Sequence, residues 1–342
     1  MIKIDWWLAL PALFLSLIGL LVLRSITPEL FTNQLLFAAV STAFFLVFSS
    51  IDYQILKSLH LPILVISIIF ILSPYLFGIH TRGAKRWLQI GQYTLQPSEL
   101  VKPFLLTSFS ALSPSSLFLV LSFVPPWLII FFQPDLGTSL VIFSGWSVIF
   151  LSRFSVKSVL SFLIIVATLI VPVYAFLLRP YQKDRLRTFV DPYRDPLGQG
   201  YHVIQSQIAV GSGQFLGRGL GHGTQSQLRF LPERHTDFIF ASLSEELGFV
   251  GVTSIFILFS LLFWRIYHVS QRQTNPVISV FCLSSLSLLA FQSFINIAMN
   301  MGIAPITGIT LPFLSYGGSS LVSLGIHLGI LNSISQNTPA RV

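Results

Sequence analysis

Apolar residues in this chain come in long unbroken runs, separated by short polar interruptions. Ten stretches stand out: 6–24, 31–50, 61–78, 99–112, 116–132, 136–152, 156–178, 238–263, 277–300 and 311–333. A helix needs about 20 predominantly apolar residues to cross a bilayer. The runs are continuously apolar without period-2 alternation, which excludes a membrane barrel. The pattern predicts an all-α polytopic membrane protein with about ten transmembrane helices, in a single domain spanning 1–342. The fourth run is short, and the last is interrupted by Gly and Ser. Pro125-Pro126 should kink the fifth, because proline removes a backbone donor and clashes with the preceding turn. The first run, Trp6 to Leu23, follows Lys3 but is too long for a signal-peptide core and has no A-x-A site after it, so it reads as a span.

The polar positions between the runs set the orientation. Lys3, Lys57, Arg153, Lys157, Arg265, Arg272 and Arg341 fall on one side of a ten-span arrangement. The positive-inside rule makes that side cytoplasmic and puts both termini there. Apart from Arg24, two outer segments go against the rule. Loop 79–97 carries Arg82, Lys85 and Arg86; the large extracytoplasmic loop 179–237, between helices 7 and 8, carries Arg179, Lys183, Arg185, Arg187, Arg194, Arg218, Arg229 and Arg234. Long loops translocate largely regardless of charge, but the short one needs a reason, and an anionic group on the outer face supplies it. No internal repeat is evident, which counts against many secondary transporters.

Composition agrees: 53% hydrophobic residues, mean hydropathy +0.78 and only 9% charged residues, against roughly 25% charged in soluble chains. The net charge of +8 sits in loops of a membrane protein, so membrane lipids or a pyrophosphate are the expected partners and nucleic acid is not. A single cysteine, Cys282, excludes an internal disulfide, a thiolate zinc site and an iron–sulfur cluster. The glycine-rich stretch Gly211–Gly223 matches neither nucleotide-binding spacing, so no nucleotide is expected and the stretch reads as a flexible outer loop. The seven histidines form no H-E-x-x-H pattern.

The densest chemistry lies where the eighth run begins. Arg229, Glu233, Arg234, His235 and Asp237 crowd its mouth, and Glu245 and Glu246 follow about 12 Å along a continuous helix. Ionisable groups at such depth in a membrane are costly and default to function. Asp237 can also be an N-cap for that span. In Arg82-Gly-Ala-Lys85-Arg86-Trp87 the cations and the indole suit either the interfacial belt or a re-entrant loop that meets a phosphate. Glu99 favours the start of the short fourth span, whereas Lys102, three residues deeper on the same face, suggests a Glu99–Lys102 pair facing a cavity. Gln133-Pro134-Asp135 reads as a helix start. Asn296 and Asn300 could line a cavity or bond a neighbouring helix. Leu311–Ser320, with Ser315 at its centre, is a broken helix start whose backbone needs protein or water partners.

Several of these motifs together resemble the SEDS family. They are His222-Gly-Thr-Gln-Ser-Gln227, Phe230-Leu-Pro-Glu-Arg-His-Thr-Asp-Phe-Ile-Phe240, Arg82-Gly-Ala-Lys-Arg-Trp87, Gln96-Pro-Ser-Glu99, Gln133-Pro-Asp-Leu-Gly137 and Pro312-Phe-Leu-Ser-Tyr-Gly-Gly-Ser-Ser320. They cover most of the chain in the family's order. The resemblance is closer to the RodA-like elongation branch than to the FtsW-like division branch, since Ala304-Pro-Ile-Thr-Gly308 lacks the lysine usual in the latter; Glu245-Glu246-Leu leans the other way. The resemblance implies a peptidoglycan glycosyltransferase of the bacterial cell membrane that polymerises lipid II. Its partners would be the growing glycan chain, a class B penicillin-binding protein transpeptidase and other elongation proteins. The family's catalytic aspartate falls on Asp237, and its important tryptophan and lysine on Trp87 and Lys102. The active-site face would be extracytoplasmic, formed by loops 79–97 and 179–237.

That chemistry is an inverting displacement, which needs one base and positive charge for the leaving pyrophosphate. Asp237 is the expected base. Lys85, Arg86, Lys102, Arg229 and Arg234 are the expected electrostatic groups, with Trp87, Glu99 and Ser315 completing substrate binding. A divalent cation, Mg2+ or Mn2+, could bridge phosphate and carboxylate, although no dedicated cage is evident. A lipid II flippase, an FtsW-like division paralogue and a non-catalytic scaffold remain as alternatives.

Overall fold

The computed structural model describes residues 3–81, 84–112, 116–155, 180–196 and 198–337, with scattered positions between 157 and 175. The chain opens with α1 (Trp6–Ile26), α2 (Pro28–Ser50), α3 (Tyr53–Ser58) and α4 (His60–Phe77). Three short strands follow, β1 (Gly78–Thr81), β2 (Ala84–Ile90) and β3 (Tyr93–Leu95), then α5 (Pro97–Leu100), α6 (Lys102–Ala111), α7 (Ser116–Phe132) and α8 (Leu136–Arg153). The large loop contains α9 (Pro180–Val190), a 3-10 turn at Pro192–Arg194, α10 (Gln199–Ser212) and α11 (Thr224–Gln227). The last helices are α12 (Ile239–Gln271), α13 (Pro276–Asn300) and α14 (Gly318–Gln336).

The protein is a helical, polytopic membrane protein. Among the described residues, α1, α2, α4, α8, α12 and α13 are long and apolar enough to cross a bilayer. The fifth predicted span, 116–132, is α7 with the same bounds, a shorter apolar helix; two others depart from expectation. The fourth is the short tandem α5–α6, and the last becomes helical only at Gly318, seven residues late. The seventh, 156–178, lies mostly outside the described residues. Within this helical protein, most of loop 79–97 forms a small antiparallel sheet in the order β1-β2-β3, a detail that the apolar pattern does not predict. Gly91 takes φ 62° beside Gln92 between β2 and β3, the left-handed backbone that a two-residue hairpin loop requires.

Small residues bring the helices close. α14 packs along α2, and a Cβ on Gly325 or Gly329 would lie 2.3 Å from Ser41 O or 2.7 Å from Phe45 O. Glycines four apart on one face let backbones approach where lipid provides no hydrophobic drive. α13 contacts α6, α8, α12 and α14.

α12 is not one continuous helix. Gly248 has φ 62° and ψ −160°, and the segment 213–219 fills the break. Arg218 N and Gly219 N donate to Glu245 O and Glu246 O at 2.9 and 3.0 Å, while Phe249 N and Val250 N donate to Gln214 O and Phe215 O at 2.9 and 3.2 Å. The glycine-rich stretch is therefore a strap bonded to a helix, not a flexible loop. Residues 249–271 suffice alone to cross ~30 Å of hydrocarbon at ~1.5 Å per residue. Glu245 and Glu246 thus lie on the far side of the break from the spanning part, rather than deep in one unbroken span.

Candidate active site

The acid-bearing loop folds through two strained positions, Arg229 (φ 61°) and Glu233 (φ 53°). Thr236 N and Phe238 N turn back onto Glu233 O at 3.1 and 3.2 Å. Leu231 and Phe238 are buried and Asp237 is half-buried. The cap of α12 is Phe238, without a side-chain cap bond, so Asp237 lies ahead of the cap and is not the N-cap that its position in sequence allows.

The segment 301–317 and α13 hold this loop from below. Tyr316 N donates to His235 O at 2.8 Å. Ser315 Oγ donates to Thr236 O at 2.8 Å and accepts from Leu311 N at 2.8 Å. Asn296 and Asn300 donate their side-chain amides to Asp237 O at 3.1 and 3.0 Å. These asparagines therefore bond the main chain ahead of α12, which resolves the two uses that the sequence leaves open. Gly308, at φ 73°, passes so close that a Cβ there would lie 3.6 Å from Asp237 Oδ2.

One and two turns back along the same face of α13 sits the second cluster. Lys102 is buried, with Nζ 2.8 Å from Glu99 Oε2 and donating to Gln292 Oε1 at 3.0 Å. Gln292 Nε2 donates in turn to Thr310 O at 3.0 Å. Residues 292, 296 and 300 are about 6 Å apart in height, so one helix face carries both the Glu99–Lys102 pair and the Asp237 loop. Gln292 is absent from the sequence-derived candidates. Its signal was there, as the first of three amides at four-residue steps in an apolar run.

The other expected site residues are more dispersed. Lys85 Nζ donates to Tyr75 O at 2.8 Å. Arg86 pairs with Asp135 at 3.2 Å and reaches Pro134 O at 3.4 Å. Asp135 itself caps α8 by accepting from Thr138 N, as the sequence suggests. Trp87 is half-buried on β2, and Arg82 lies outside the described residues. Arg234 is buried and donates through Nη2 to Ile26 O at 3.0 Å, while Arg229 is exposed, 4.0 Å from Glu29. Aromatic rings bridge the sheet and the acid loop: Tyr93 to Phe37 at 5.6 Å, Phe37 to Tyr316 at 6.1 Å, and Tyr316 to His235 at 5.7 Å.

Glu245 and Glu246 have structural partners. Glu245 accepts from Gln225 N at 2.8 Å, Ser226 N at 3.0 Å and both the Thr224 and Ser226 hydroxyls, so it binds the N-terminal turn of α11. Glu246 accepts from Ser25 Oγ at 2.6 Å, Gly221 N at 3.1 Å and Gln227 Nε2 at 3.2 Å. Beside the sheet, an apolar groove of about 580 Å³ opens between α2 and α4, lined by Phe37, Phe44, Phe48, Ile63, Phe104 and Ser319 among others.

Residues 8–340 match the family of cell cycle proteins that comprises FtsW, RodA and SpoVE. The chain is 43% identical over 281 residues to peptidoglycan glycosyltransferase MrdB of Escherichia coli (strain K12), covering 79% of this chain and 76% of the relative. It is 36% identical over 318 residues to stage V sporulation protein E of Bacillus subtilis (strain 168), covering 89% and 86%. Its fold matches a chain of a peptidoglycan synthase complex that coordinates polymerization and crosslinking, with a TM-score of 0.86, 30% identity and coverage of 99% and 100%. The rod shape determining protein RodA of Thermus thermophilus shares the fold at a TM-score of 0.73, 24% identity and 98% coverage of both chains.

Proposed function

Because the chain belongs to the FtsW, RodA and SpoVE family, we propose that it is a RodA-like peptidoglycan glycosyltransferase that polymerises lipid II into glycan strands during elongation. Asp237 carries the reading: a half-buried carboxylate on a fixed main chain, ahead of a membrane helix. The rings of His235, Tyr316 and Phe37 connect its loop to an apolar groove that suits a polyprenyl tail.

The donor sugar is α-linked to pyrophosphate and the product linkage is β, so the acceptor 4-hydroxyl attacks from the opposite face. Asp237 takes the hydroxyl proton as the C–O bond forms, and the bond to pyrophosphate breaks with its electrons on phosphate. Cations stabilise that leaving group. Arg229, exposed at the mouth of the acid loop, is the freest to move toward it. Lys85 and Arg86 reach it from the sheet, Arg86 by exchanging Asp135 for phosphate. Lys102 is shared with Glu99 and Gln292, so it tunes the floor of the site from within, and Arg234 anchors the loop to α1. Trp87 flanks the sugar or prenyl chain.

Among the described residues no three His, Cys, Asp or Glu converge. A divalent ion, Mg2+ or Mn2+, would have to be held mainly by substrate phosphates, with Asp237 as a protein ligand, rather than by a protein cage. Such an ion would supply charge neutralisation at the pyrophosphate. A class B penicillin-binding transpeptidase is the partner that would crosslink the product. Both termini are cytoplasmic and the site is extracytoplasmic.

The test is purified protein with labelled lipid II in detergent. Glycan polymer formed without a bilayer supports the reading, since neither a flippase nor a scaffold can make it. Binding of lipid II without any polymer, in the presence of a transpeptidase partner, would overturn it.

A further inference from the structure

In a continuous helix Ala241 N would bond Asp237 O, four residues back. It does not. Ala241 N donates to Asn300 Oδ1 at 3.1 Å, and Asn300 Nδ2 donates to Asp237 O at 3.0 Å. The amide of Asn300 is inserted into the place of one helical hydrogen bond, using its acceptor on one side and its donor on the other. Asn296 adds a second donor to Asp237 O at 3.1 Å and ties the same nitrogen to Ile309 O at 2.6 Å. Both asparagines are fully buried.

We infer that Asn300, supported by Asn296, is a positioning residue that keeps Asp237 outside α12 and so aims its carboxylate; this rests on the reading of Asp237 as the base. Without the inserted amide, Ala241 N and Asp237 O can bond directly and the helix gains a residue at its start. Each helical residue turns the side chain by roughly 100°, which would swing the Asp237 carboxylate away from its place beside Gly308. Only an asparagine of this length offers both a donor and an acceptor here. Leucine has neither, and aspartate lacks the donor. The neighbouring carbonyls are fixed separately, His235 O by Tyr316 N and Thr236 O by Ser315 Oγ. Loss of the asparagine should therefore redirect Asp237 without releasing the whole loop.

The experiment compares the parental protein with Asn300→Ala and Asn296→Leu, using lipid II with protein in excess. The single-turnover rate constant does not depend on how many molecules are folded, only on how well each one reacts. It should fall about 10- to 100-fold, with lipid II affinity unchanged and the melting temperature of Asn300→Ala held or raised by the recovered helical bond. Slowed hydrogen exchange at Ala241 would accompany it. A merely structural asparagine would instead lower the amplitude and the melting temperature together. Asn300→Ser, which also breaks the bridge, is read in place of Asn300→Ala if the latter does not fold; failure of both to fold overturns the inference. A parental rate constant in folded Asn300→Ala does so too, while leaving the glycosyltransferase reading intact. If the parental protein makes no polymer, both fall.

Discussion

Asp237→Asn isolates the base role, because the Asp237 side chain does not cap α12. Asparagine keeps the shape and polarity of the side chain but cannot accept a proton as a base. The variant is expected to be folded, membrane-inserted and able to bind lipid II, with polymerisation down at least ~10²-fold, the usual lower value of a general base. Near-parental polymerisation would hand the role to another carboxylate. Lys102 admits a sharper separation. Lys102→Ala leaves Glu99 buried beside an empty place, a loss of roughly 3–5 kcal/mol, whereas Lys102→Met with Glu99→Gln removes both charges and should restore most of the melting temperature. If the double variant polymerises at the parental rate, the pair serves the fold alone. His202 gives a pH signature, because burial pushes its imidazole below the ordinary range while Glu233 pulls it partly back up. The folded chain then binds fewer protons than the unfolded one below about pH 6.5. Stability present at neutral pH is lost as pH falls through that value, and His202→Gln should flatten the melting-temperature curve there. At this scale the sequence was readable for Asp237 and for the Glu99–Lys102 pair, since charges in a bilayer stand out. For Gln292 and the two asparagines it offered only the four-residue spacing, because an amide's partner is set by which carbonyl the fold brings to it.

Elements are where local pattern misled most. The stretch 213–219 has the composition of a mobile loop, yet its glycines allow close backbone approach: a Cβ on Gly217 would lie 2.2 Å from Glu246 O, at φ 80°. Gly217→Ala should therefore cost well over the ~1 kcal/mol of left-handed strain alone, lowering the melting temperature and speeding exchange at Phe249 and Val250. Gly211→Ala is the control, having nothing within 4 Å of a Cβ and a helical backbone; it should be neutral or slightly stabilising. An unchanged Gly217→Ala protein would mean that the strap is not needed to hold the break. The sheet was missed for a different reason. Trp87-Leu-Gln-Ile90, then Gly91-Gln92, then Tyr93-Thr-Leu95 is a hairpin signal, but the strands are short and their alternation is too brief to stand out beside the long apolar runs. The late start of α14 was partly visible, as the small residues at 317–320 already signalled a broken helix.

At the scale of the whole molecule, bilayer length governs, and that is why the membrane class was clear from apolar runs alone. Short or polar-laced helices defeat such counting. α6 is brief, and α14 carries Ser323, His327 and Asn332 buried among neighbours, so its place comes from packing that no window sees. Orientation is testable by labelling. Cysteines at Tyr193 and Gln271, both exposed, are expected to react from outside and inside intact cells respectively, against little background from buried Cys282. Outside reaction at Gln271 would invert the topology. The helix break has a further consequence for how such a chain is made. Its partners, 213–219, precede it in sequence, so on the proposed topology they have already been exported when α12 leaves the ribosome. The amides and carbonyls opened at 245–250 thus meet waiting partners and need never face lipid bare, an order of synthesis that a circular permutation placing α12 first would reverse.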